Sequence, residues 1–545
     1  MSAEASEAVI GRGAEGTGRA ETIYGILERA AAADPDGVFY TKDAEGLALT
    51  FGDVRAGADG LARQLAGFGL GSGDRALVWL PNGPLWISLL FGCARLGVTV
   101  VTAGPRLRLA DIPYMLEHSR ARAIFYTPSF MGTDYEAMVQ ELLRSRAAGE
   151  LQELQHVVRC AEGTGPLGTV PYASLVEHEL PPAEPGPDDP AVICYTGGTT
   201  GRPKGCVHDH RTVVDNCWIA SGLTGFGPEE KLVSAMPFAH VFGFHMGILQ
   251  PMMRGAGLVD AEPFAADDVL GLVERHHGTV LYGVPAMAID LIAEQKERPR
   301  DLSSLRVALL AGAPVPPRLR KQTMEVLGCG LTVVYGATES PTLTQLLPGD
   351  PEPQIYESVG RATPGLELAI FEPGTANPLT RGEVGEIASR GYNHMIGYLD
   401  DPAATLAKYR GDWIIPGDFG RLDEEGFLYV TGRADDMFLC GGFNVYPREV
   451  ENQLELIDGL REVVVLGVPD ARLGEVGLAF VVVDDAELHA DRILAWARDN
   501  MATYKRPRYV HILQQMPRTH VGKTARGELE ARARELLPDA PWDRP

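Results

Sequence analysis

The sequence lacks the features that mark a membrane protein or a nucleic-acid-binding protein. No apolar run reaches the roughly 18 residues that a transmembrane helix needs, and no basic block stands out in a chain whose formal charge is −24 at pH 7. This acidic balance argues against nucleic acid or an anionic membrane as the main partner. The N-terminus has early acidic residues and no apolar core, so we predict no signal peptide and no membrane span.

The chain has few cysteines, and their spacing matches neither a zinc site nor a disulfide framework. The chain has seven cysteines, an odd number, and none forms a CxxC pair. This pattern argues against a disulfide framework and against a structural zinc site, and it favours the reducing cytoplasm as the location.

The N-terminus contains one misleading glycine pattern. Residues 11–16 read GRGAEG, a formal GxGxxG, but only AVI precedes them and more glycine follows. A dinucleotide site needs a buried strand before this pattern and a helix after it. We therefore predict no cofactor site there, and we interpret residues 1–21 as a disordered tail.

The chain of 545 residues is too long for a single compact core, so we expect more than one domain. From about residue 22, helical patterns such as PLWISLLFGCARLG alternate with buried strand patterns such as RALVWLPNG, which predicts α/β layers with parallel strands. After Arg433 the pattern changes to strand pairs and short helices, which is enough for an α+β domain of about 110 residues. The predicted domains are residues 22–434 and residues 435–545.

The most informative stretch is YTGGTTGRPKG at residues 195–205. A strand that ends in a loop of glycine and threonine presents backbone N–H groups and hydroxyls to one point, which suits a phosphate, and Lys204 adds positive charge. The stretch does not match the GxxxxGK[ST] pattern of P-loop enzymes. The alternative is a flexible turn, although tight turns seldom need paired threonines.

This loop resembles the phosphate-loop signature of the adenylate-forming superfamily, which includes acyl- and aryl-CoA ligases, adenylation domains and luciferases. Further motifs follow in the order of that family: PFAHVFGF at 237–244, LLAGAPV at 309–315, VVYGATES at 333–340, and then CGGFNVYPREVE and PRTHVGKTARGEL. Gly197 stands where the family usually has serine, and KGCVHDHR is most similar to benzoate- and aminobenzoate-type CoA ligases. The resemblance implies a multidomain α/β fold, with a large N-terminal domain of stacked mixed sheets and helices and a small mobile α+β C-terminal domain.

The resemblance also implies a reaction in two steps, in which ATP first converts an acid to its acyl-adenylate and the thiol of CoA then displaces AMP. Lys523 would reach the α-phosphate and the carboxylate, Thr338 would touch the α-phosphate, and Glu339 would bind Mg²⁺. The other implied nucleotide-binding residues are Thr196, Gly198, Thr199, Thr200, Gly201 and Lys204 at the outer phosphates, Gly312, Ala313, Pro314, Tyr335 and Gly336 around adenine, and Asp418 and Arg433 at the ribose.

The acyl pocket implied by the resemblance centres on His240, which would hydrogen-bond or gate the carboxylate. The full set of pocket residues is Ala239, His240, Phe244, Val284, Ala311 and Tyr335. A zinc site at His208, His210, His240 and His245 is the alternative for the histidines, but no carboxylate completes a familiar ligand spacing. We therefore expect His208 and His210 to pack beside the loop.

The C-terminal domain is expected to move between the two steps. Asp435 falls where the family has its hinge residue, and Gly441 and Gly442 would leave room for the pantetheine arm of CoA. A plain hairpin turn is the alternative for the two glycines. Cys440 has no base beside it in the sequence, so we do not expect it to be a nucleophile.

The leading functional hypothesis is ATP-dependent ligation of a small or aromatic carboxylic acid to CoA. The second hypothesis keeps the adenylation but uses another acceptor: a separate carrier protein, an amine, or an aryl amine that receives activated nitrite to form a diazo group. A non-catalytic nucleotide-binding protein is disfavoured because Lys523 and Glu339 are both present. Assembly into a homo-oligomer stays open.

Overall fold

The protein consists of stacked sheets and helices followed by a small separate unit. The computed structural model describes residues 11–12, 21–161, 166–167, 169–172, 178–180, 185–196, 202–433, 436–441, 443–485, 487–519, 524–538 and 540–542. The helices before residue 434 are Ile23–Ala33, Phe51–Gly67, Pro84–Leu96, Ile112–Ser119, Tyr135–Ala147, His210–Thr224, Gln250–Arg254, Ala266–His276, Pro285–Glu297, Pro317–Leu327, Gln354–Glu357 and Pro402–Ala407, with a π-helix at Phe242–Leu249. Within the described part of the chain, no helix is both long and apolar enough to cross a membrane.

The first large sheet has eight strands and carries the phosphate-type loop. Six neighbouring strands of this sheet are parallel. The strand after the phosphate-type loop, Lys204–Asp209, runs antiparallel to the strand before it, and Gly397–Tyr398 pairs antiparallel with Lys204–Asp209. The strands lie in the order Val170–Pro171, His156–Arg159, Ala123–Tyr126, Arg75–Trp79, Thr99–Thr102, Pro190–Thr196, Lys204–Asp209 and Gly397–Tyr398.

The second large sheet has nine strands, with a parallel centre and antiparallel strands at both edges. The strands lie in the order Arg361–Ala362, Ser340–Leu346, Gly330–Ala337, Val307–Ala311, Val280–Gly283, Lys231–Ser234, Gly257–Asp260, Val38–Lys42 and Leu47–Thr50. The turn between Gly330–Ala337 and Ser340–Leu346 contains Thr338 and Glu339.

A seven-stranded antiparallel sheet covers one end of this pair. Its strands are Gly11–Arg12, Leu366–Phe371, Gly385–Gly391, Trp413–Ile414, Tyr409–Arg410, Asp418–Leu422 and Leu428–Arg433. Gly11 and Arg12 pair with Leu368 and Glu367, so these two residues of the N-terminal glycine pattern contribute backbone pairing to this sheet. A two-stranded hairpin, Ser129–Phe130 with Thr133–Asp134, stands apart from the sheets.

The largest hydrophobic core lies between the two parallel sheets, where helices contact both. Helix Pro84–Leu96 shows why the sequence adopts this arrangement. Proline begins the helix, Gly97 ends it with a left-handed φ of 75°, and residues are buried on nearly all of its faces. A helix that is apolar on every side needs partners on every side. Helices Phe51–Gly67 and Ile23–Ala33 and the eight-stranded sheet supply them.

The C-terminal residues form a core of their own. Strands Phe443–Val445, Phe438–Cys440, Gly474–Val483 and Leu460–Asp470 pair antiparallel, and Pro507–Ile512 joins parallel to Gly474–Val483. The helices of this unit are Pro447–Leu454, Ala490–Asn500 and Arg526–Leu536, and its apolar side chains form a cluster separate from the other cores.

The predicted fold class is confirmed: the chain has a large N-terminal part of mixed sheets and helices and a small α+β C-terminal unit. The alternation of helices and strands predicted parallel strands, and the structure has them at the centres of both large sheets. The antiparallel edges and the antiparallel third sheet were not expected from that alternation, because they arise from hairpins whose strands are as short as two residues.

Candidate active site

Two hairpins, one from each large sheet, meet where several of the motif residues lie. In the first, Thr196 lies opposite Lys204. In the second, Thr338 and Glu339 occupy the turn between two strands of the nine-stranded sheet. Nε2 of His208 lies 2.8 Å from the carbonyl oxygen of Thr338, so a hydrogen bond joins the two hairpins. The structure thus brings together motifs that lie 130 residues apart in the sequence.

Glu339 is held by a tyrosine and lies near two lysines. The Tyr398 hydroxyl donates a hydrogen bond to Oε1 of Glu339 at 2.5 Å. Nζ of Lys408 lies 4.0 Å from the same oxygen, and Nζ of Lys204 lies 5.1 Å from the centre of the Tyr398 ring. This chain of contacts concentrates positive charge around one carboxylate, which is the arrangement that a polyphosphate with a metal ion requires.

Asp418 is a half-buried carboxylate with two partners. The Tyr335 hydroxyl donates to its Oδ2 at 2.7 Å, and Nε of Arg433 lies 3.4 Å from its Oδ1. Burial raises the pKa of Asp418, while Arg433, the Tyr335 hydroxyl and Lys408 lower it in part. A carboxylate held in this way can accept hydrogen bonds from two neighbouring hydroxyls, as a ribose would offer.

The segment expected around adenine begins at the end of strand Val307–Ala311. Gly312 has a φ of 84°, a left-handed conformation that favours glycine, and Gly312 and Pro314 are exposed while Ala313 is half-buried. At Gly336 the requirement for glycine comes from the protein itself, because a Cβ there would lie 2.6 Å from the backbone nitrogen of Thr342.

The residues expected at the acyl pocket differ in exposure. Phe244, Val284 and Ala311 are buried members of the same core, and Phe244 contacts the rings of Trp86 and His245. Ala239 and His240 are half-buried.

Nδ1 of His240 accepts a hydrogen bond from the backbone N–H of Phe242 at 3.1 Å, so this histidine shapes the start of the π-helix. Its ring position is therefore set by the local backbone.

Several expected site residues lie outside the described residues: Gly198, Thr199, Thr200, Gly201, Asp435, Gly442 and Lys523. Gly441 is described. It has a φ of 59° at the turn after strand Phe438–Cys440, and its N–H donates to the carbonyl of Leu473 at 2.8 Å. Cys440 is buried, and burial raises the pKa of its thiol, which disfavours a nucleophilic thiolate.

The histidines are not grouped as metal ligands. Nδ1 of His210 accepts a hydrogen bond from the backbone N–H of Ile23 at 3.2 Å, and burial lowers the pKa of both His208 and His210 to about 4. In the parts of the chain that the structure describes, no group of three or more His, Cys, Asp or Glu side chains is placed to bind a metal ion.

Tyr398 and Lys408 were missed as site residues. Tyr398 lies in the stretch GYLDDPAAT and Lys408 in AKYRGDW, and both are distant in sequence from the phosphate-type loop. Their role follows from tertiary contacts, since the strand Gly397–Tyr398 pairs with Lys204–Asp209. The stretch GEVGEIASRGYNHMIGYLDDPAAT at 382–405, which resembles the family in its place along the chain, was the available signal for Tyr398.

Comparisons with known proteins agree with this geometry. Residues 27–399 match the AMP-binding enzyme family, and residues 449–523 match the AMP-binding enzyme C-terminal domain. The chain is 33% identical over 490 residues to a feruloyl-CoA synthase of Amycolatopsis sp, covering 89% of this chain and 94% of that protein. It is 31% identical over 540 residues to a long-chain-fatty-acid–CoA ligase of Bacillus subtilis (strain 168), covering 93% and 94%.

A solved structure is also similar over nearly the whole length. The anthranilate CoA ligase AuaEII, in complex with anthranoyl-AMP, has a TM-score of 0.86 and 24% identity, covering 95% of this chain and 98% of that one. This likeness supports the fold. Together with the two family matches, which follow one another along the chain, it confirms the resemblance seen in the motifs. The chain therefore belongs to the AMP-binding enzyme family, the adenylate-forming enzymes.

Proposed function

We propose that this enzyme activates a small or aromatic carboxylic acid with ATP and transfers the acyl group to CoA. It is an AMP-forming acid–CoA ligase, in keeping with its family and with its CoA-ligating relatives. One observation carries the proposal: Lys204, Glu339 and Asp418 are connected through Tyr398 and Lys408.

In the first step a carboxylate oxygen of the acid attacks the α-phosphorus of ATP, and the bond to the pyrophosphate oxygen breaks. Two anionic groups approach each other, so fixed positive charge nearby lowers the barrier. Lys204 and Lys408 supply such charge from the N-terminal part. We assign a further charge to Lys523 and the binding of the outer phosphates to Thr196 and the loop residues Gly198, Thr199, Thr200 and Gly201.

The donor set at Glu339 fits Mg²⁺. This ion is commonly held by one or two carboxylates together with phosphate oxygens of the substrate, and Glu339 is a single carboxylate whose orientation the Tyr398 hydroxyl fixes. When bound, Mg²⁺ would neutralise phosphate charge. Thr338 lies next to Glu339 in the same turn, where its side chain would meet the α-phosphate.

The nucleoside would lie between the two sheets. We assign the ribose hydroxyls to Asp418, which Tyr335 and Arg433 orient. We assign one face of adenine to Gly312, Ala313 and Pro314, and the other wall to Tyr335 and Gly336. Ala239, His240, Phe244, Val284 and Ala311 would then surround the acyl group.

In the second step the thiolate of CoA attacks the acyl carbon, the bond from that carbon to the phosphate oxygen of AMP breaks, and the thiol proton passes to solvent. We propose that residues 435–545 turn about Asp435 relative to residues 22–434 between the steps. Gly441 and Gly442 would then border the pantetheine arm. The separate core of the C-terminal unit supports such a movement, because it can move without disturbing the other cores.

The test is to incubate the protein with ATP, Mg²⁺ and a panel of aryl and short aliphatic acids, with and without CoA. Pyrophosphate release and product mass are read together. Lys523→Ala is the inactive variant, and Lys321→Ala is its matched control, since Lys321 is an exposed lysine on helix Pro317–Leu327. We expect a CoA thioester from the wild type and from Lys321→Ala, and none from Lys523→Ala.

The second candidate function differs only in the acceptor. AMP and pyrophosphate without a thioester would mean that a carrier protein, an amine or nitrite-derived chemistry takes the place of CoA, and the panel would then be repeated with those acceptors. The absence of turnover with every acid would reject the proposed function.

We also propose the cytoplasm as the location of the enzyme. All seven cysteines are free, and six of them are buried, as suits a reducing compartment in which thiols do not pair. After lysis and fractionation of the producing cells, we expect the protein in the supernatant together with cytosolic markers. Recovery with periplasmic or secreted markers would reject this location.

A further inference from the structure

Five polar side chains are buried directly behind the turn that carries Glu339. We call them the buried polar layer: His208, Asn216, His245, Ser340 and Asn393. Each is at most 1% exposed. They come from different elements, namely strand Lys204–Asp209, helix His210–Thr224, the π-helix Phe242–Leu249, strand Ser340–Leu346 and the segment after Gly385–Gly391. Buried polar groups in folded proteins nearly always have hydrogen-bond partners, so unpaired atoms gathered in one place call for an explanation.

The two amides share one acceptor and leave their own oxygens without a partner among the described residues. Nδ2 of Asn216 donates to the carbonyl oxygen of Pro341 at 2.6 Å, and Nδ2 of Asn393 donates to the same oxygen at 2.5 Å. Flipping either amide would set two carbonyl oxygens against each other, so the assignment is fixed by the network. The Oδ1 atoms of both amides have no partner among the described residues.

His208 adds a third acceptor. Its Nε2 lies 2.8 Å from the carbonyl oxygen of Thr338, which can only accept, so Nε2 carries the proton. Because burial keeps the ring neutral at pH 7, Nδ1 is a lone pair, and it finds no partner within the described chain.

His245 completes the layer and connects it to the acyl side of the crevice. Its ring centre lies 6.2 Å from that of His208 and 4.6 Å from that of Phe244. Neither of its ring nitrogens has a partner in the described structure, so a neutral ring offers one donor and one acceptor. His245 lies in a π-helix, a rare element that is frequent at functional sites.

The layer therefore has more acceptors than donors. Three atoms can only accept a hydrogen bond: Oδ1 of Asn216, Oδ1 of Asn393 and Nδ1 of His208. The His245 ring and the Ser340 hydroxyl can each donate one hydrogen bond and accept another. The layer contacts the turn of Thr338 through His208 and contacts Phe244 through His245. A group that enters from the acyl side and satisfies it must bring hydrogens of its own.

We propose that the buried polar layer is the far end of the acyl site and binds an N–H or O–H group on the acid substrate. The substrate class is thus a carboxylic acid with an amino or hydroxyl substituent remote from the carboxylate, rather than an unsubstituted aryl or alkyl acid. This inference rests on the proposed function and narrows its substrate. An acid without such a group would leave the buried acceptors unpaired, and sites built to hydrogen-bond a substrate discriminate strongly against analogues that lack the group.

The test compares acids that differ only in this group. Benzoates and cinnamates carrying a hydroxyl, an amino or a methyl group at the same ring position are supplied with ATP and Mg²⁺, and kcat/KM is measured from pyrophosphate release. We expect the hydroxyl or amino acid to exceed its methyl analogue at least about tenfold at one ring position. Equal values at every position would overturn the inference and would mean that ordered water fills the layer, while the ligase function would stand.

Two variants test whether the preference for the hydroxyl or amino acid depends on the buried polar layer. Asn216→Leu and His245→Phe remove acceptors while keeping volume, and each is expected to reduce the preference for the hydroxyl or amino acid to less than threefold. Thr332→Val is the matched control, because Thr332 is also fully buried with an unpartnered hydroxyl among the described residues but lies outside the layer. A preference that survives in both layer variants would overturn the inference, and so would its loss in Thr332→Val.

A second readout separates failure of this inference from failure of the proposed function. Thermal stabilisation by each acid measures binding without turnover, since a ligand that binds only the folded state raises the midpoint. If no acid releases pyrophosphate, the ligase function fails, yet stabilisation by the hydroxyl or amino acid and not by the methyl analogue would still support the layer as its binding site. The wild-type comparison decides the matter even if a layer variant does not fold.

Discussion

Replacing Tyr335 with phenylalanine removes one hydroxyl group and keeps the ring that faces the nucleotide site. The hydroxyl donates to a half-buried carboxylate, Asp418, at 2.7 Å, and the remaining partner, Arg433, lies 3.4 Å away with half of its side chain exposed. A hydrogen bond to a charged group contributes about 1.5–3 kcal/mol, which corresponds to a factor of roughly 10 to 150. We therefore expect the free energy of unfolding to fall by this amount and the KM for ATP to rise at least about tenfold.

The same variant should respond to pH. Burial already raises the pKa of Asp418, and the Tyr335 hydroxyl counteracts that rise. Without the hydroxyl the pKa rises further, so the carboxylate becomes protonated at a higher pH than in the wild type. The defect in ATP binding should thus grow as the pH falls and shrink as it rises.

The assay is ATP–pyrophosphate exchange across pH, with urea unfolding measured in parallel. Tyr429→Phe is the matched control, because the Tyr429 hydroxyl also donates to an aspartate, Asp423, at 3.1 Å, but outside the nucleotide crevice. This control should affect stability and leave the KM for ATP unchanged. If Tyr335→Phe changes that KM by less than threefold, or no more than Tyr429→Phe does, Asp418 is not the ribose acceptor that we propose.

Three further changes test other parts of the structure. Lys408→Met removes the ammonium 4.0 Å from Glu339, and we expect kcat/KM for ATP to fall roughly tenfold; an unchanged value would remove Lys408 from the site. Burial raises the pKa of Glu262 to about 7, so the folded state binds its proton more tightly than the unfolded state, and stability is lost as pH rises from about 4.5 to about 7. Urea unfolding of wild type and Glu262→Gln should therefore diverge by about 3 kcal/mol in favour of the variant above pH 7, and parallel curves would contradict the assignment. Phe480→Ala empties a fully buried position in the C-terminal core, and calorimetry should show about 3–5 kcal/mol lost from the C-terminal unit, with little change elsewhere.

Local sequence determines much of the fold. Helix Pro84–Leu96 has proline at its start and glycine after its end, and its apolar residues run all round, so its bounds and its burial follow from the sequence. Strands such as Arg75–Trp79 are continuous apolar runs, which is typical of the buried centre of a parallel sheet. The pair Tyr409–Arg410 and Trp413–Ile414 carries no such pattern. A two-residue strand has no periodicity to detect, and only its neighbours in the sheet define it.

The candidate site, too, was only partly predictable from the sequence. Lys204, Glu339 and Asp418 were predicted because each lies in a family motif, whereas Lys408 has no motif and is recognised only by its distance to Glu339. The buried polar layer behind Glu339 was likewise not predictable from the sequence. Asn216 looks like an ordinary polar residue of a helix in the sequence, and its significance depends on a carbonyl oxygen 125 residues away, at Pro341.

The separate core of the C-terminal unit has a consequence for how the protein loses its shape. The apolar cluster of the C-terminal unit does not merge with those of the N-terminal part, so the two parts can melt at different temperatures. A single midpoint would then not describe denaturation of the whole chain. The temperature of heat inactivation would be set by the unit that unfolds first. Substitutions in one unit could shift this temperature without changing the residues of the acyl pocket in the other. Heat tolerance and substrate choice are therefore free to change independently in this molecule.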